Sequence, residues 1–541
     1  MPARTPDNLH AYVASLELET LGWPAPLKRR RFMQASLALA AGGILAATRA
    51  GDALAQASSV RFAGYPFTLG VASGAPRHDS VVLWTRLIPE PLNGSGDGGI
   101  PADRISVNWE VAEDEQFKKI VRRGTHRAIP ELAYSVHAEV QGLEPGQWYF
   151  YRFMAGNDVS PVGRTRTAGV KEEKLRFAFA SCQNYEQGFF TAYRHMLKDN
   201  VDLVAFLGDY IYESNWGSNL VRRHAGPEPE TLNQYRLRHA QYKTDPDLKA
   251  MHAAAPWIVT WDDHEVDNDY ADDQSEHLDP RFLARRAAAY QAYYEHMPLA
   301  LSALPRGPNM RLYDRFSFGT LAEFHVLDNR QYRAYQACPR PGMGGSNTVE
   351  NCSERLSPGR TMLGAAQEQW LESGLAQSRA VWNVLAQQTL VSQWNQKSGT
   401  QSLWTDGWDG YPVARKRLLD YLSERKISNP VFIGGDVHSH YVSNVKANFD
   451  DPGSAVVASE FVGTSITSES WPQDRIDAMK SLNPHVTLAD GTRRGYALIE
   501  LSAKTLSARM RQIDSEKLRE SKVAGSHDYV VEAGRAGVRK A

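Results

Sequence analysis

The sequence has no excess of charge of either sign, no long apolar run and no internal repeat, and it contains only three cysteines. Its 61 Lys and Arg residues nearly balance 62 Asp and Glu residues, which gives a formal net charge of -1. No electrostatic footprint therefore indicates nucleic acid or an anionic membrane as a partner. No G-x-S-x-G motif marks a serine nucleophile either, since the turn Gly463-Thr464-Ser465 lacks the closing glycine. Chemistry and partners have to be inferred from local motifs.

The one marked apolar segment lies near the N-terminus, after a basic run. The stretch Lys28-Arg29-Arg30-Arg31-Phe32 precedes an uncharged, alanine-rich segment over residues 35–48. That segment is shorter than the roughly 20 helical residues that span a bilayer. The paired arginines resemble a twin-arginine signal, which exports folded proteins. We predict that residues 1–55 are a cleaved signal, that the mature chain has no transmembrane segment, and that it is periplasmic or extracellular. An N-terminal anchor that stays attached is the alternative.

The three cysteines leave at least one thiol without an internal partner. Cys338 and Cys352 flank a loop rich in Gly, Pro, Ser and Asn, and a disulfide between them would be worth about 3 kcal/mol in the chain-entropy model. Cys182 is then left over. A thiol of this kind in an oxidising compartment is either buried and inert or a metal ligand, and the cysteine pattern alone favours burial.

The region from residue 60 to 167 is typical of a small β-sandwich. Short alternating runs separated by turns predict strands near residues 67–71, 80–85, 106–111 and 148–153. The turn Leu143-Glu144-Pro145-Gly146 before the last of them resembles the entry to a late strand of a fibronectin type III module. Modules of this type usually position or shield a site, so we expect the chemistry to lie elsewhere.

From about Lys171 strands alternate with helices, which predicts an α/β domain over residues 171–512. The predicted strands cover residues 175–180, 201–207, 257–261, 323–327, 382–391 and 431–433, and a second sheet is predicted from residues 455–462, 496–501 and 506–513. Residues 231–255 read as a solvated basic helix. Residues 513–541 read as a C-terminal tail, either a fraying helix or disordered.

Residues able to do chemistry follow each of the six strands. They are Cys182, Asp209, Asp262, Asp263, Asp328, Gln393 and Asp436. Carboxylates and imidazoles that converge from several strand ends are what a pair of metal ions needs, because one carboxylate bridges the ions and the others complete each shell. The buried strand 201–207 is the centre of this pattern, since it ends in Gly208-Asp209-Tyr210-Ile211-Tyr212.

Three of these strand ends resemble the motifs of metallophosphatases. Gly208-Asp209-Tyr210-Ile211-Tyr212 is similar to G-D-x-x-D/Y in the tyrosine version of purple acid phosphatases, Asp262-Asp263-His264-Glu265 to G-N-H-D/E, and Gly435-Asp436-Val437-His438 to G-H-x-H. The early D-x-H motif is absent, and Ser181-Cys182-Gln183 occupies its place. These variant motifs, together with residues 327–333 and 461–467, make the chain similar to the PhoD-like alkaline phosphatases (the PhoD/phospholipase D family). The resemblance covers about residues 62–512.

The resemblance implies a fold, a metal set and a ligand set. The fold is a four-layered αββα domain behind a fibronectin III-like β-sandwich. The metals are Fe³⁺ and Ca²⁺, in keeping with the anionic phenolate and thiolate donors that suit ferric iron and the oxygen donors that suit calcium. Cys182, Asp209 and Tyr212 would hold iron, with Asp209 bridging. The remaining ligands, of unassigned ion, would be Asp263, Asn268, Asp436 and His438.

Two further side chains are candidates for catalysis. His264 is placed to protonate a leaving group. Arg330 follows a predicted strand and would clamp a phosphate, although arginines in such loops are as often surface salt-bridge partners. His440, two residues after His438, is a weaker candidate.

The resulting prediction is an exported phosphoric-ester hydrolase that uses in-line attack by a metal-bound hydroxide, without a phosphoenzyme. It would be a monomer acting on phosphate mono- or diesters. A non-catalytic surface or adhesion protein with a structural metal site is the main alternative, and an iron oxidase or haloperoxidase is a third. The sequence does not choose between monoesters, diesters and phospholipids.

Overall fold

The computed structural model of the chain describes residues 60–94, 98–100 and 104–541. The predicted export signal, residues 1–55, lies outside the described residues. Within them, no helix is both long enough and apolar enough to cross a membrane.

Eight strands form the N-terminal region of the described chain. They are β1 Val71–Gly74, β2 Ser80–Arg86, β3 Ile105–Ala112, β4 Ile120–Ala128, β5 Ser135–Gln141, β6 Trp148–Ala155, β7 Asp158–Val159 and β8 Gly163–Arg166. Strands β3, β4, β6, β7 and β8 form one sheet, whereas β1, β2 and β5 pair in another. Side chains from both, such as Leu83, Val136, Val107 and Tyr151, share one apolar core. An N-terminal β domain is therefore confirmed.

The rest of the chain alternates strands and helices. Its strands are β9 Lys174–Ala180, β10 Leu203–Leu207, β11 Pro256–Thr260, β12 Asp314–Phe318, β13 Ala322–Val326, β14 Thr348–Val349, β15 Trp382–Ala386, β16 Leu403–Trp404, β17 Pro430–Gly434, β18 His440–Lys446, β19 Val456–Val462, β20 Val486–Asp490, β21 Gly495–Ser502, β22 Thr505–Ile513, β23 Val523–Glu532 and β24 Arg539–Lys540. Its helices are α1 Ala192–Lys198, α2 Leu232–Lys243, α3 Pro246–Ala254, α4 Phe282–His296, α5 Ala365–Gln377, α6 Pro412–Glu424 and α7 Gln473–Lys480.

Two large sheets form the centre of the molecule. The first has ten strands in the order β24-β23-β22-β21-β9-β10-β11-β1-β2-β5, and the second has seven in the order β12-β13-β15-β17-β19-β18-β20. Strands β9, β10 and β11 run parallel, as do β13, β15, β17 and β19. Each set therefore presents its carboxyl ends at one edge, where open α/β sheets build their sites.

Strand β10 shows how the two sheets and the helices outside them form four layers. Because successive side chains of a strand point to opposite faces, Leu203 and Ala205 pack with residues of the second sheet, whereas Val204 and Phe206 pack with the helices α1 to α4. The outer face of the second sheet is covered in the same way by α5 and α6. The predicted αββα architecture is thus confirmed, and β10 is buried on both faces as its apolar sequence indicates.

The N-terminal β domain is not a separate sandwich, because one of its sheets continues into the catalytic domain. Strand β1 pairs in parallel with β11, with Ser73 opposite Pro256 and Gly74 opposite Trp257. Gly74 allows this approach, since a Cβ there would lie 2.8 Å from the carbonyl oxygen of Trp257 in β11. The domain boundary near Ala168 stays a prediction.

Two predictions about strands and the C-terminus are wrong. Strands β21 and β22 do not belong to a second sheet, because β21 pairs antiparallel with β9 in the first. The predicted tail is not a helix and is not disordered: it folds as β23 and β24, and β23 pairs with β22 from Thr505 to Ile513. Pairing with an existing edge outweighs the low apolar content of this segment, which carries alternating polar residues suited to a half-exposed strand.

The predicted basic helix over residues 231–255 is two helices, and it is not solvated. The first helix ends at Lys243. Asp245 caps the second by accepting hydrogen bonds from the amides of Asp247 and Leu248, and Pro246 is its first residue. Arg238 is 1% exposed and donates to the carbonyl oxygens of Tyr212 and Glu213. Its positive charge therefore supports the loop after β10 and does not face solvent.

The structure contains the disulfide between Cys338 and Cys352. Cys182 is the free, buried cysteine of the described residues.

Candidate metal centre

Six of the nine predicted site residues line one large cavity at the carboxyl ends of the parallel strands. The cavity has a volume of about 880 Å³, and its lining includes Asp209, Asp263, His264, Asn268, Asp436 and His438. These residues come from loops that follow β10, β11 and β17, so both sheets contribute to its walls. Cys182, in the loop after β9, lies behind Asp209 and is 1% exposed.

The backbone of these loops is unusual at four predicted ligands. Cys182 (φ 57°), Asp209 (φ 57°), Asp436 (φ 64°) and His438 (φ 53°) all adopt a left-handed conformation that non-glycine residues seldom take. Such conformations cost free energy and persist where the surrounding structure enforces them, which is common at functional sites. The folded loops therefore fix the positions of these four side chains despite the free-energy cost of their backbone conformation.

Asp209 lies at the centre of two groups of side chains able to bind a cation. Ligand atoms of Cys182, Asp209 and His438 lie within 4.8 Å of one another, and so do those of Asp209, Asp263 and His264. One carboxylate oxygen of Asp209, Oδ2, accepts a hydrogen bond of 2.9 Å from the Tyr212 hydroxyl. The other, Oδ1, is buried and has no hydrogen-bond partner among the described residues. An open oxygen on a carboxylate shared by two groups is what a bridging ligand requires.

The electrostatics of this centre call for positive charge. Burial, together with the nearby carboxylates of Asp262 and Asp263, raises the pKa of Asp209 well above its usual value, despite the opposing effect of His264. Burial also raises the pKa of the Cys182 thiol, and Asp209 adds to this effect. Burial and Asp209 likewise raise the pKa of Tyr212. Bound cations would reverse these shifts, because they favour the ionised forms of all three. The residues present therefore fit a centre that holds metal ions.

Neighbouring groups orient the Tyr212 phenol and the His438 ring. The Tyr212 hydroxyl lies 3.2 Å from His438 Nε2 and 2.7 Å from the Ser468 hydroxyl. His438 Nδ1 is 2.8 Å from the carbonyl oxygen of Glu469, so it donates there. Burial lowers the pKa of His438 to about 3, which keeps the ring neutral and leaves Nε2 as an acceptor or ligand.

The remaining predicted ligands lie in the same cavity with other partners. Asp436 Oδ2 accepts a hydrogen bond of 2.6 Å from the Thr389 hydroxyl. Asp263 Oδ2 accepts one of 2.7 Å from the Asp269 amide. The Asn268 side chain donates to Glu276 at 2.9 Å, which leaves its amide oxygen for a cation.

His264 is held by a carboxylate that the sequence analysis did not assign. Its Nδ1 lies 2.7 Å from Glu213 Oε2, and its side chain is 12% exposed at the cavity wall. Burial lowers the pKa of His264, but the carboxylates of Glu213, Asp263 and Asp209 outweigh burial and hold it well above 6.5. These carboxylates therefore favour the protonated form of the ring, in which Nδ1 is taken by Glu213.

Arg330 does not lie where either of its expected roles requires. It is 1% exposed, so it is no surface salt-bridge partner, and it does not line the cavity. Its guanidinium bonds Asp262, approaches Asp406 at 2.8 Å, and lies 3.7 Å from Asp263. Three buried carboxylates surround the Arg330 guanidinium. This arrangement suits holding Asp263 in place and does not suit binding a phosphate.

Three other candidates lie away from the cavity or behind it. Asp328 accepts hydrogen bonds from the amides of Arg330 and Gln331 and shapes their turn. Gln393 donates to Asp450 at an exposed position. His440 is buried and bonds the Thr464 amide, so it supports the sheet behind His438.

Besides Glu213, sequence reasoning missed two acidic residues that organise the centre. The Glu265 carboxylate accepts hydrogen bonds from the amides of Asp209 (3.1 Å), Tyr210 (2.5 Å) and Asp262 (2.8 Å), and so ties the loop after β10 to the loop after β11. Asp406 belongs to a third acidic group with Asp263 and Asp269. Glu265 has a signal in its motif, whereas Asp406 has none, because the strand it follows, β16, is only two residues long and leaves no apolar run in the sequence.

Comparisons with known proteins agree with this geometry. Residues 177–510 match the family model described as PhoD-like phosphatase, and residues 53–169 match the PhoD-like phosphatase N-terminal domain. The chain is 45% identical to alkaline phosphatase D of Bacillus subtilis (strain 168) over 536 residues, which covers 95% of this chain and 89% of that protein. A solved structure titled Structure of PhoD superposes with a TM-score of 0.84 at 46% identity, covering 89% of this chain and 93% of that one. The chain belongs to the PhoD-like phosphatase family.

Proposed function

We propose that the protein is an alkaline phosphatase or phosphodiesterase of the PhoD type, which hydrolyses phosphoric esters at the centre around Asp209. The observation that carries the proposal is the buried carboxylate of Asp209. Its ligand atoms lie within 4.8 Å of those of Cys182 and His438 on one side and of Asp263 on the other, and its Oδ1 has no hydrogen-bond partner among the described residues. Family membership and the identity to alkaline phosphatase D support a phosphoric-ester hydrolase. They do not favour a non-catalytic adhesion protein, and no observation favours an iron oxidase.

We propose Fe³⁺ and Ca²⁺ as the metals. Cys182, Asp209, Tyr212 and His438 would hold iron, since thiolate and phenolate are strong anionic donors. Asp263, Asn268 and Asp436 would serve calcium with Asp209 as the bridge, since calcium prefers oxygen donors. When bound, the cations would activate water as the nucleophile and offset the charge that develops on the phosphoryl oxygens.

His264 is the proposed general acid. Its Nδ1 is held by Glu213, so the Nε2 proton can pass to the ester oxygen as the bond to phosphorus breaks. Glu213 is itself fixed, because its Oε1 accepts a hydrogen bond of 3.0 Å from the Asn268 amide. The imidazole therefore keeps one orientation while it loses its proton. Arg330 serves as a positioning residue through Asp262 and Asp263.

Metal analysis combined with ester hydrolysis tests the proposal. Protein purified without a chelator should contain iron and calcium, and it should hydrolyse 4-nitrophenyl phosphate or its bis ester. Tyr212→Phe should abolish the visible charge-transfer band expected of iron-phenolate while the fold is retained by circular dichroism. Hydrolysis of neither ester by metal-loaded protein would exclude the proposed function.

We also propose export by the twin-arginine route to the periplasm or the exterior, as a monomer. The support is the sequence Arg29-Arg30-Arg31-Phe32 before the alanine-rich segment, and the disulfide, which persists in oxidising compartments. Replacing Arg30 and Arg31 by lysine should retain the protein in the cytoplasm, as cell fractionation would reveal.

A further inference from the structure

Apart from the His264 ring, which is held by Glu213, the wall of the cavity carries little positive charge to receive an anion. Within the described part of the chain, twelve of the lining side chains are Asp or Glu, whereas Arg285 is the single lining arginine and no lysine contributes. A phosphoric ester is itself an anion, so its phosphoryl group depends on the metal ions for neutralisation. Among the described lining residues, no similar concentration of positive charge is available to a second anionic group on the same substrate.

The arginine at the wall is already occupied. Its two terminal nitrogens lie 2.8 Å from Glu228 Oε1 and 3.0 Å from Asp267 Oδ1, and its Nε donates to the Tyr235 hydroxyl at 2.8 Å. Two carboxylates and a phenol therefore saturate the fork of Arg285. An incoming carboxylate or phosphate would have to displace one of them.

Two other carboxylates of the cavity wall, Glu276 and Asp279, pair with arginines outside the wall. Glu276 pairs with Arg340 at 2.7 Å and Asp279 pairs with Arg281 at 2.9 Å, but neither arginine lines the cavity. The side chains of Arg340 and Arg281 are 55% and 72% exposed, so solvent screens their charge. The face that a substrate meets remains acidic.

Aromatic side chains form an uncharged part of the same wall. Trp394 is 7% exposed, meets Tyr441 edge to face at 4.9 Å, and its indole Nε1 has no hydrogen-bond partner among the described residues. Trp216 stacks on His438 at 5.7 Å, and Trp471 is 44% exposed. These rings suit an apolar or aromatic group, and the unpaired indole donor suits an uncharged oxygen acceptor.

We propose that the cavity selects phosphoric esters whose alcohol portion carries no further anionic group. An uncharged alcohol packs on the tryptophans, and an ammonium group is tolerated by the acidic wall. A second carboxylate or phosphate meets lining carboxylates that outnumber the lining cations, and the arginine among those cations is already paired. Selectivity of this kind comes from repulsion of the wrong substrate as well as attraction of the right one. The inference rests on the proposed function, since it concerns the substrate of that same site.

Three aryl phosphates that share one leaving phenol isolate this effect. They are N-acetyl-O-phosphotyrosine amide (neutral outside the phosphate), N-acetyl-O-phosphotyrosine (one added carboxylate) and O-phosphotyrosine amide (one added ammonium). With protein purified without a chelator, we expect kcat/KM for the carboxylate to be at least tenfold below the neutral compound, mainly through KM. The ammonium compound should match or exceed the neutral one.

A charge-reversal variant assigns the effect to the wall. Glu230→Lys with Asp279→Lys should narrow the gap in kcat/KM between carboxylate and neutral substrates at least threefold, and leave the neutral substrate within twofold of wild type. Glu372→Lys with Glu424→Lys makes the same change in net charge on helices α5 and α6, outside the cavity, and should leave the gap unchanged.

The outcomes separate the two claims. Equal or higher kcat/KM for the carboxylate compound overturns the selectivity alone, and an equal response of the two double variants overturns the assignment to this wall. Hydrolysis of none of the three compounds overturns the proposed function and this inference with it.

Discussion

The metal centre and the junction between the N-terminal β domain and the helices both bury charge, but they do so in opposite ways. At the junction, Arg236 meets Glu295 through two contacts of 2.7 and 2.6 Å, and Arg86 lies 2.6 Å from His296 Nε2. At the candidate metal centre, carboxylates lie close together, and Asp209 Oδ1 has no hydrogen-bond partner among the described residues. Protein groups close the first cluster, whereas the second leaves a carboxylate oxygen available to a cation.

This difference shows in the direction of the pKa shifts. Burial lowers the pKa of His296 and His239 at the junction, so these rings stay neutral beside Arg86. Burial raises the pKa of Asp209 and Asp436 at the metal centre. Low pH should therefore destabilise the junction, because its neutral rings resist protonation. Removal of cations should instead destabilise the centre, because its carboxylates then repel one another. Substitutions should separate a cluster that stabilises the fold from one that performs chemistry.

The largest effect is expected from Asp209→Asn. It should lower kcat/KM at least about 1000-fold, because the amide removes the charge that bridges the two ligand groups. The melting temperature of the metal-free protein should stay the same or rise, since a neutral side chain relieves repulsion among buried carboxylates. Activity assays, metal analysis and thermal melting test this. Wild-type rates on aryl phosphates would refute the site.

Arg236→Met should produce the opposite pattern. Leaving Glu295 buried without its partner should lower the free energy of unfolding by about 3–5 kcal/mol. At temperatures where the variant is folded, kcat/KM should stay within about twofold of wild type. Urea denaturation measures the loss. The exposed pair Lys416–Asp420 is the control, because Lys416→Met should cost only about 0.3–0.5 kcal/mol.

His264→Asn should show an effect that depends on the leaving group. Loss of the Nε2 proton should lower kcat/KM about 100-fold for alkyl phosphates, which need protonation of a basic oxygen. For 4-nitrophenyl phosphate the loss should be only a few-fold, because nitrophenolate leaves without a proton. Equal losses on both substrates would mean that His264 is not the general acid.

The smallest effect is expected at His137 in the N-terminal β domain. The ring stacks on Tyr294 at 4.2 Å, and burial lowers its pKa to about 3. The unfolded chain takes up a proton near pH 6.5 and the folded chain does not, so stability falls as pH drops below 6.5. His137→Asn should remove about 2 kcal/mol of this loss between pH 7.5 and pH 5. Urea denaturation at both pH values compares the variant with wild type.

Much of the fold was predictable from the sequence, because buried parallel strands leave a continuous apolar signal. The run 201–207 predicted β10 and placed Asp209 at its end, and motif spacing brought Asp263, His264 and His438 to the same cavity. The C-terminal strands were not predictable in this way. Strand β23 is stable because β22 supplies hydrogen-bond partners, and that pairing is absent from its local sequence.

The partners of the site residues were also beyond the sequence. The amides that bind Glu265 and the three carboxylates that surround Arg330 come together only through the packing of two sheets. The exposure of Arg330 was therefore misjudged, since a loop arginine and a buried arginine have the same local signature. Glu213 has the clearest missed signal, as it follows Tyr212 in the central motif.

The ends of the described chain flank the catalytic strands on both sides, and this has a consequence for biosynthesis. Strand β11 needs β1 from the N-terminal region, and β9 needs β21, which a ribosome would make about 300 residues after β9. The ten-stranded sheet therefore cannot close before β21 has been made, and the edge of β9 stays open to mispairing until then. A nascent chain of this topology should depend on chaperones that shield strand edges late in synthesis.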